Sequence, residues 1–353
     1  MIFAQSLPLV LGLVIFSFSI TSLLVVPFIN LLYSLKLTRR KQAPKKGVVP
    51  LFDRLHDKKA GTPVGGGILL ILVISLVFYL IFPFASHMGV FIRSAFNFKT
   101  EVFVILFTFI SFGLLGILDD LIKIFGKGRS GNPALGLVYG ISGRQKFLIQ
   151  WILAFFISFV IHRYLGIQIL HLPMLNAILH LGWVYIPFAA FVIVAFTNAF
   201  NFTDGLDGLA TGLLLICLVA FGVIAAGNLD LPLSVFIAIW IGALMAFLYF
   251  NVWPARLFLG DAGALSFGAT LAVIGLITGS VMALVVIGGI FVLEMISSII
   301  QIFGWKVLKR PIFPIAPFHH TLLAIGWEEP KIVMRAWLAG IMLAIFGLWL
   351  ATI

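Results

Sequence analysis

The residues most able to do chemistry in this chain are carboxylates placed where carboxylates are costly. Among twelve acidic residues, Asp119 and Asp120 close one long apolar run, Asp204 and Asp207 follow another, and Asp261 follows a third, while Glu294 lies inside a fourth. Acids at the hydrocarbon boundary need a cation, a partner or water, so their clustering points to function. Oxygen ligands suit Mg²⁺, a hard cation that commonly bridges a few carboxylates to substrate phosphates. Zinc is disfavoured, because the chain has neither CxxC nor HExxH. Adjacent Asp119 and Asp120 point in different directions on a helix, so one suits a metal and the other a second role. Asp204 and Asp207 share a helical face, with Asn201 one turn earlier. His319-His320 reads either as an interfacial polar pair or as an imidazole contact to phosphate or sugar. The run Gly61-Thr62-Pro63-Val64-Gly65-Gly66-Gly67 permits either an anion near backbone N–H groups or close helix packing. Lys58 and Lys59 stand beside it as point charges. In Phe258-Leu259-Gly260-Asp261 a ring stands beside a carboxylate, where it either stacks a base or simply packs.

The elements that must position these groups are membrane helices. The chain has 353 residues, 62% hydrophobic and only 10% charged, with 34 Gly and a mean hydropathy of +1.20. A soluble domain carries about a quarter charged residues, so secreted enzyme, nucleic-acid module and disordered chain are excluded. Spans of about 20 residues fit at 7–29, 65–85, 102–118, 147–162, 183–200, 209–227, 233–250, 262–281, 283–304 and 333–351. The first lacks a basic start and a small-residue cleavage site, so it reads as a span rather than a signal peptide. The stretch 262–304 has no Lys or Arg and must hold two spans joined near Thr278-Gly279-Ser280. Loops 30–64, 119–146, 251–261 and 305–335 carry 20 of the 23 Lys and Arg; Arg93, Lys99 and Arg163 remain for the other side. The positive-inside rule therefore puts the basic loops, and with them 201–208, in the cytoplasm and both termini outside. All five aspartates fall on that cytoplasmic face. The net charge of +11 reports orientation and no nucleic-acid partner. Cys217 lies in an apolar run and reads as a core residue. The expectation is an all-α polytopic membrane protein of about ten spans, one domain over 1–353, with its active site on the cytoplasmic face.

At these motifs the chain resembles a known superfamily. Asp119-Asp120 followed by Lys123 is similar to the DDxxK of polyprenyl-phosphate N-acetylhexosamine-1-phosphate transferases. Thr197-Asn198 through Asn201 and Thr203-Asp204-Gly205-Leu206-Asp207-Gly208 resembles their TNxxNxTDGLDGLA block, and Phe258-Leu259-Gly260-Asp261 their FMGD block. Ala316-Pro317-Phe318-His319-His320, continued by Gly326-Trp327-Glu328-Glu329-Pro330-Lys331, is similar to the APxHHHFE…GWxEPK signature of the phospho-N-acetylmuramoyl-pentapeptide transferase branch. The resemblance covers spans two to ten in order. It departs at Thr321, where the third His would stand, at Leu322-Leu323, and at Val64, which lacks a hydroxyl near the expected nucleotide. Gly126 to Leu137 looks inserted, and Tyr139 stands where Lys is usual.

The resemblance implies a bacterial multi-pass inner-membrane enzyme. Its reaction takes UDP-MurNAc-pentapeptide and undecaprenyl phosphate to lipid I and UMP, with Mg²⁺ as cofactor and a homodimer as a further implication. It implies Asp261 as a metal ligand with Asp119 or Asp120, the other being a candidate proton acceptor. It also implies Asn201, Asp204, Asp207, Asn251 and Phe258 as uridine and diphosphate contacts, Lys59 and Lys123 at the substrate, and His319 and His320 at phosphate or sugar. A competing scheme makes Asp204 a nucleophile. Glu294 and Gln301, seven apart, are expected to line the cavity. The rivals are a GlcNAc-1-phosphate transferase for surface polysaccharide and, in another class, an ion-coupled transporter.

Overall fold

A computed structural model describes residues 2–39, 59–87, 94, 96–125 and 141–353. The inserted stretch 126–137, Tyr139, Lys58 and Arg93 lie outside these. In hydrocarbon every backbone polar group must be satisfied within its own segment, so the apolar runs become helices. They are α1 (Ile2–Ser34), α2 (Gly66–His87), α3 (Phe98–Phe125), α4 (Gly143–Tyr164), α5 (Tyr185–Thr203), α6 (Leu209–Gly227), α7 (Leu231–Asn251), α8 (Gly260–Ile277), α9 (Val281–Ile287), α10 (Gly289–Phe303), α11 (Phe318–Ala324) and α12 (Glu329–Thr352). Among the described residues nine helices are long and apolar enough to cross a membrane, and the shorter apolar stretch Gly66–Ile81 falls at the expected second span. Local chemistry sets several ends. The Ser142 hydroxyl accepts the Gln145 N–H before α4, and the Asp230 carboxylate accepts the Leu233 N–H before α7.

Three features differ from the expectation. The chain is not purely helical: β1 (Ile169–Leu172) and β2 (Ala177–His180) form an antiparallel hairpin, with Asn176 in the left-handed region between them. The turn at Gly279 (φ +69) divides 262–304 as expected, but the second half breaks again at Gly288 into α9 and α10. Finally, α3 runs on to Phe125, so Asp119 and Asp120 sit inside its last two turns rather than at its end.

The centre of the bundle is α8, with 89% of its span buried against α2, α3 and α5. Rings of Phe109, Phe236, Trp240 and Phe267 join α3, α7 and α8, at centroid distances of 5.1 to 5.7 Å. Such pairs contribute about 0.5–1.5 kcal/mol each beyond their burial. Near the other end of α8 backbones meet directly. A Cβ at Gly67 would lie 2.2 Å from the Gly263 nitrogen, and one at Gly116 would lie 2.2 Å from the Asp261 carbonyl oxygen. Missing side chains let three helices converge there, and the convergence sets Asp119 and Asp120 beside Asp261.

Candidate active site

At this convergence opens a cavity of about 350 Å³. Its walls include Asp120, Lys123, Asn201, Asp204, Asp207, Asn251, Phe258 and Asp261, together with Arg39 and Val64. The Asp261 Oδ2 accepts Lys123 Nζ at 2.7 Å and Lys146 Nζ at 2.6 Å. Both lysines also reach Asp119, Lys123 at 2.8 Å and Lys146 at 2.9 Å. Asp119 is 1% exposed, and its other oxygen accepts the Ile141 N–H. It therefore braces the lysines from behind the cavity wall. Asp120 accepts the N–H groups of Asp261 and Ala262, both at 3.1 Å, and so caps the positive end of α8. Gly260, at φ +79, turns the chain into that helix; a Cβ there would lie 2.7 Å from the Asp120 carboxylate.

A second ion cluster ties distant segments. Lys59 Nζ donates to Asp207 at 2.6 Å and also to Glu329. The Asp207 N–H donates to Glu329 at 2.7 Å, and the other Asp207 oxygen accepts the Ala255 N–H. Lys59 thus meets the cavity through Asp207. Asn251 has its amide engaged at both ends, by the Thr211 hydroxyl and the Leu257 carbonyl. The Gly65, Gly66 and Gly67 N–H groups all donate to the carbonyls of Phe258 and Leu259. Of the two readings of that glycine run, the structure has close packing.

Besides Asp119 and Lys59, four expected residues stand apart from the cavity walls. The Glu294 carboxylate accepts the His319 N–H and lies 3.1 Å from His319 Nδ1. His319 in turn packs on Gly205, where a Cβ would meet its ring at 2.3 Å. The His319 and His320 rings are 4.1 Å apart. Gln301 clamps the returning chain, accepting N–H from Ile312 and Phe313 and donating to the Phe313 carbonyl. Glu294 and Gln301 therefore hold the last loop rather than lining the cavity. Thr321, the departure from the third His, donates its hydroxyl to the Ile315 carbonyl.

The cavity's charge balance favours a cation. Asp204, just past α5, has its carboxyl pushed up to about 7 by burial and then by the charges of Asp261 and Asp120, with the Arg39 charge pulling the other way. Below that pH it holds its proton; above it, it adds another negative charge. Among the described residues no three His, Cys, Asp or Glu side chains close round one point. The donor set fits a cation that takes only one or two protein carboxylates and completes its shell with water and phosphate, which is the habit of Mg²⁺. Asp261 fits best, since its Oδ1 faces the cavity beside the Asn201 amide at 3.3 Å.

Sequence reasoning gave no role to Lys146, Glu329 or Arg39. Glu329 lay within a quoted motif, but its partners Asp207 and Lys59 are 122 and 270 residues away, and Lys146 reaches Asp261 across 115 residues. Arg39 was one basic residue among nine in its loop.

Comparison with known proteins shows the family. Glycosyl transferase family 4 matches residues 102–279. A Phospho-N-acetylmuramoyl-pentapeptide-transferase of Clostridium perfringens (strain 13 / Type A) is 37% identical over 328 residues, covering 92% of this chain and 93% of the relative. Proteins of the same name from Geobacillus kaustophilus and Bacillus pumilus are 35% and 33% identical, over 95% and 97% of both chains. With its long apolar helices and bacterial relatives, this is a multi-pass bacterial membrane protein. The chain belongs to glycosyl transferase family 4, among the phospho-N-acetylmuramoyl-pentapeptide transferases.

Proposed function

We propose that the chain transfers phospho-MurNAc-pentapeptide from UDP-MurNAc-pentapeptide to undecaprenyl phosphate, forming lipid I and UMP. The observation that carries this reading is the Asp261–Lys123–Lys146–Asp119 cluster at one end of a cavity that has Phe258 and Asp207 among its walls. Two anionic substrates must meet at a membrane surface, and the cluster offers both cations and a metal-binding carboxylate there. The uridine lies toward Phe258, Asp207 and Asn251, and the diphosphate toward Asp261, Asn201 and the lysines. An oxygen of the lipid phosphate bonds to the β-phosphorus. The bond from that phosphorus to the bridging oxygen breaks, and the electron pair leaves with UMP.

Asp261 would hold Mg²⁺, with Asp120 and Asn201 at hand; an ion bound there would supply neutralising charge for the diphosphate and for the departing UMP. Lys123 and Lys146 draw the phosphates together, and Asp119 keeps both lysines aimed. A separate base is unnecessary, because a phosphate monoester with a second pKa of about 6 is largely dianionic at pH 7. Direct attack is favoured over a covalent intermediate on Asp204 because the lipid phosphate is already an anionic nucleophile and needs no extra step. His319, His320 and Glu294 support the loop beside Gly205 that receives the phosphate or sugar. The chain acts as one domain, both termini outside the cytoplasm, in a homodimer. Transfer of GlcNAc-1-phosphate is the nearest rival, and the Gly326-Trp327-Glu328-Glu329-Pro330 tail argues against it.

The test is UMP release by purified protein with undecaprenyl phosphate, Mg²⁺ and either UDP-MurNAc-pentapeptide or UDP-GlcNAc. Release with the muramoyl donor alone, abolished by EDTA, is expected; release with UDP-GlcNAc alone transfers the enzyme to the polysaccharide branch. Glu329→Gln should raise KM for the donor about tenfold while changing kcat little. It removes charge-assisted hydrogen bonds of about 1.5–3 kcal/mol that aim Lys59 and Asp207 but touch no phosphate. An equal loss in kcat would contradict that role.

A further inference from the structure

The cations at the site are held differently. Lys123 and Lys146 are each shared between Asp119 and Asp261, and Lys59 between Asp207 and Glu329. The backbone of Arg39 is fixed by pairing with the segment that carries Thr62. Its N–H donates to the Thr62 carbonyl at 3.0 Å, and its carbonyl accepts the Gly61 N–H at 2.9 Å. Thr38 bridges to Pro63, and Val64 bridges to Phe258. The guanidinium carbon stands 5.6 Å from the centre of the Phe258 ring. Both residues line the cavity with Asp204, and the Arg39 charge acts on the Asp204 carboxyl. Val64, on the same wall, offers no hydroxyl.

We propose that Arg39 binds the phosphate of the leaving nucleotide, the α-phosphate of the donor and then of UMP. This deepens the transferase reading and rests on it. Arg39 is assigned to that phosphate because it stands over the ring of Phe258, to which the uridine is assigned, whereas the lysine pair is held on Asp261, assigned to the β-phosphate. Bond cleavage adds negative charge to UMP. A guanidinium stays charged at every working pH and meets phosphate oxygens with a planar fork, while the ring face of Phe258 restrains its plane.

The experiment compares UMP and uridine as competitive inhibitors of UMP-forming turnover in wild type, Arg39→Gln and Arg39→Lys, with binding of both ligands to the full-length protein measured in parallel. Arg39→Gln should weaken UMP about 10- to 100-fold while leaving uridine within about twofold, and Arg39→Lys should fall between. Wild-type UMP affinity in Arg39→Gln would overturn the proposal. So would equal losses for UMP and uridine, which would mean that Arg39 only supports the wall. Should the glutamine variant fail to fold, Arg39→Lys keeps the charge and decides the question by the same ratio. Failure of the transferase reading appears separately, as wild-type protein that releases no UMP from the muramoyl donor.

Discussion

Replacing Asp261 by Asn is expected to lower Mg²⁺-dependent UMP release by about 10³-fold or more, a loss typical of removing one preorganised charge from the transition state. The substitution keeps size and shape, so α8 should pack as before; its backbone is held by Asp120 at both Asp261 and Ala262. What disappears is the negative charge at the middle of the cluster. Lys123 and Lys146 would keep Asp119 as a partner, so the variant should remain folded in detergent and elute as wild type. The measurement is UMP release across a Mg²⁺ titration. Turnover and metal dependence equal to wild type would remove Asp261 from the metal role.

The second large effect requires no change to any polar group. Gly116→Ala should cost about 100-fold in kcat, because a Cβ there would need the space of the Asp261 carbonyl, 2.2 Å away. Misplacing catalytic groups by about 1 Å is enough for such a loss. Gly116→Val should also lower the thermal midpoint, since overpacking a close contact costs about 1–3 kcal/mol. Thermal unfolding of both variants, read beside their turnover, separates displacement of the site from loss of the fold. Normal kcat in Gly116→Ala would show that α3 and α8 slide freely past each other, against the packing described.

The reason this clash matters also explains what was legible in the sequence. Hydropathy and basic loops were enough to put Asp119, Asp120, Asp204, Asp207 and Asp261 near one another, because each stands by the end of a long apolar run. The partners within the cluster were harder to see. Asp120 reads as a metal ligand by motif, yet its two oxygens cap α8, a bond that forms only after two helices approach across glycines. Gln301 reads as cavity lining from its spacing to Glu294. The chain returns at Ile312 and Phe313 to occupy its amide, and nothing in a helical period announces that return. The hairpin at 169–180 was missed because strands of four residues leave too short an alternation beside long apolar runs. The break at Gly288 falls within a stretch hydrophobic enough to read as one continuous span.

The Lys59–Asp207–Glu329 cluster has a consequence for how the protein is made. Lys59 must find one partner 148 residues later and another 270 residues later, and Glu329 opens α12. During synthesis the carboxylate that joins these segments emerges only after the helices α1 to α11 have been made. A nascent chain halted before α12 therefore holds Lys59 and Asp207 without the group that fixes both. Synthesis of α12, rather than insertion of the earlier spans, is the moment at which the Asp207 side of the cavity acquires its folded shape.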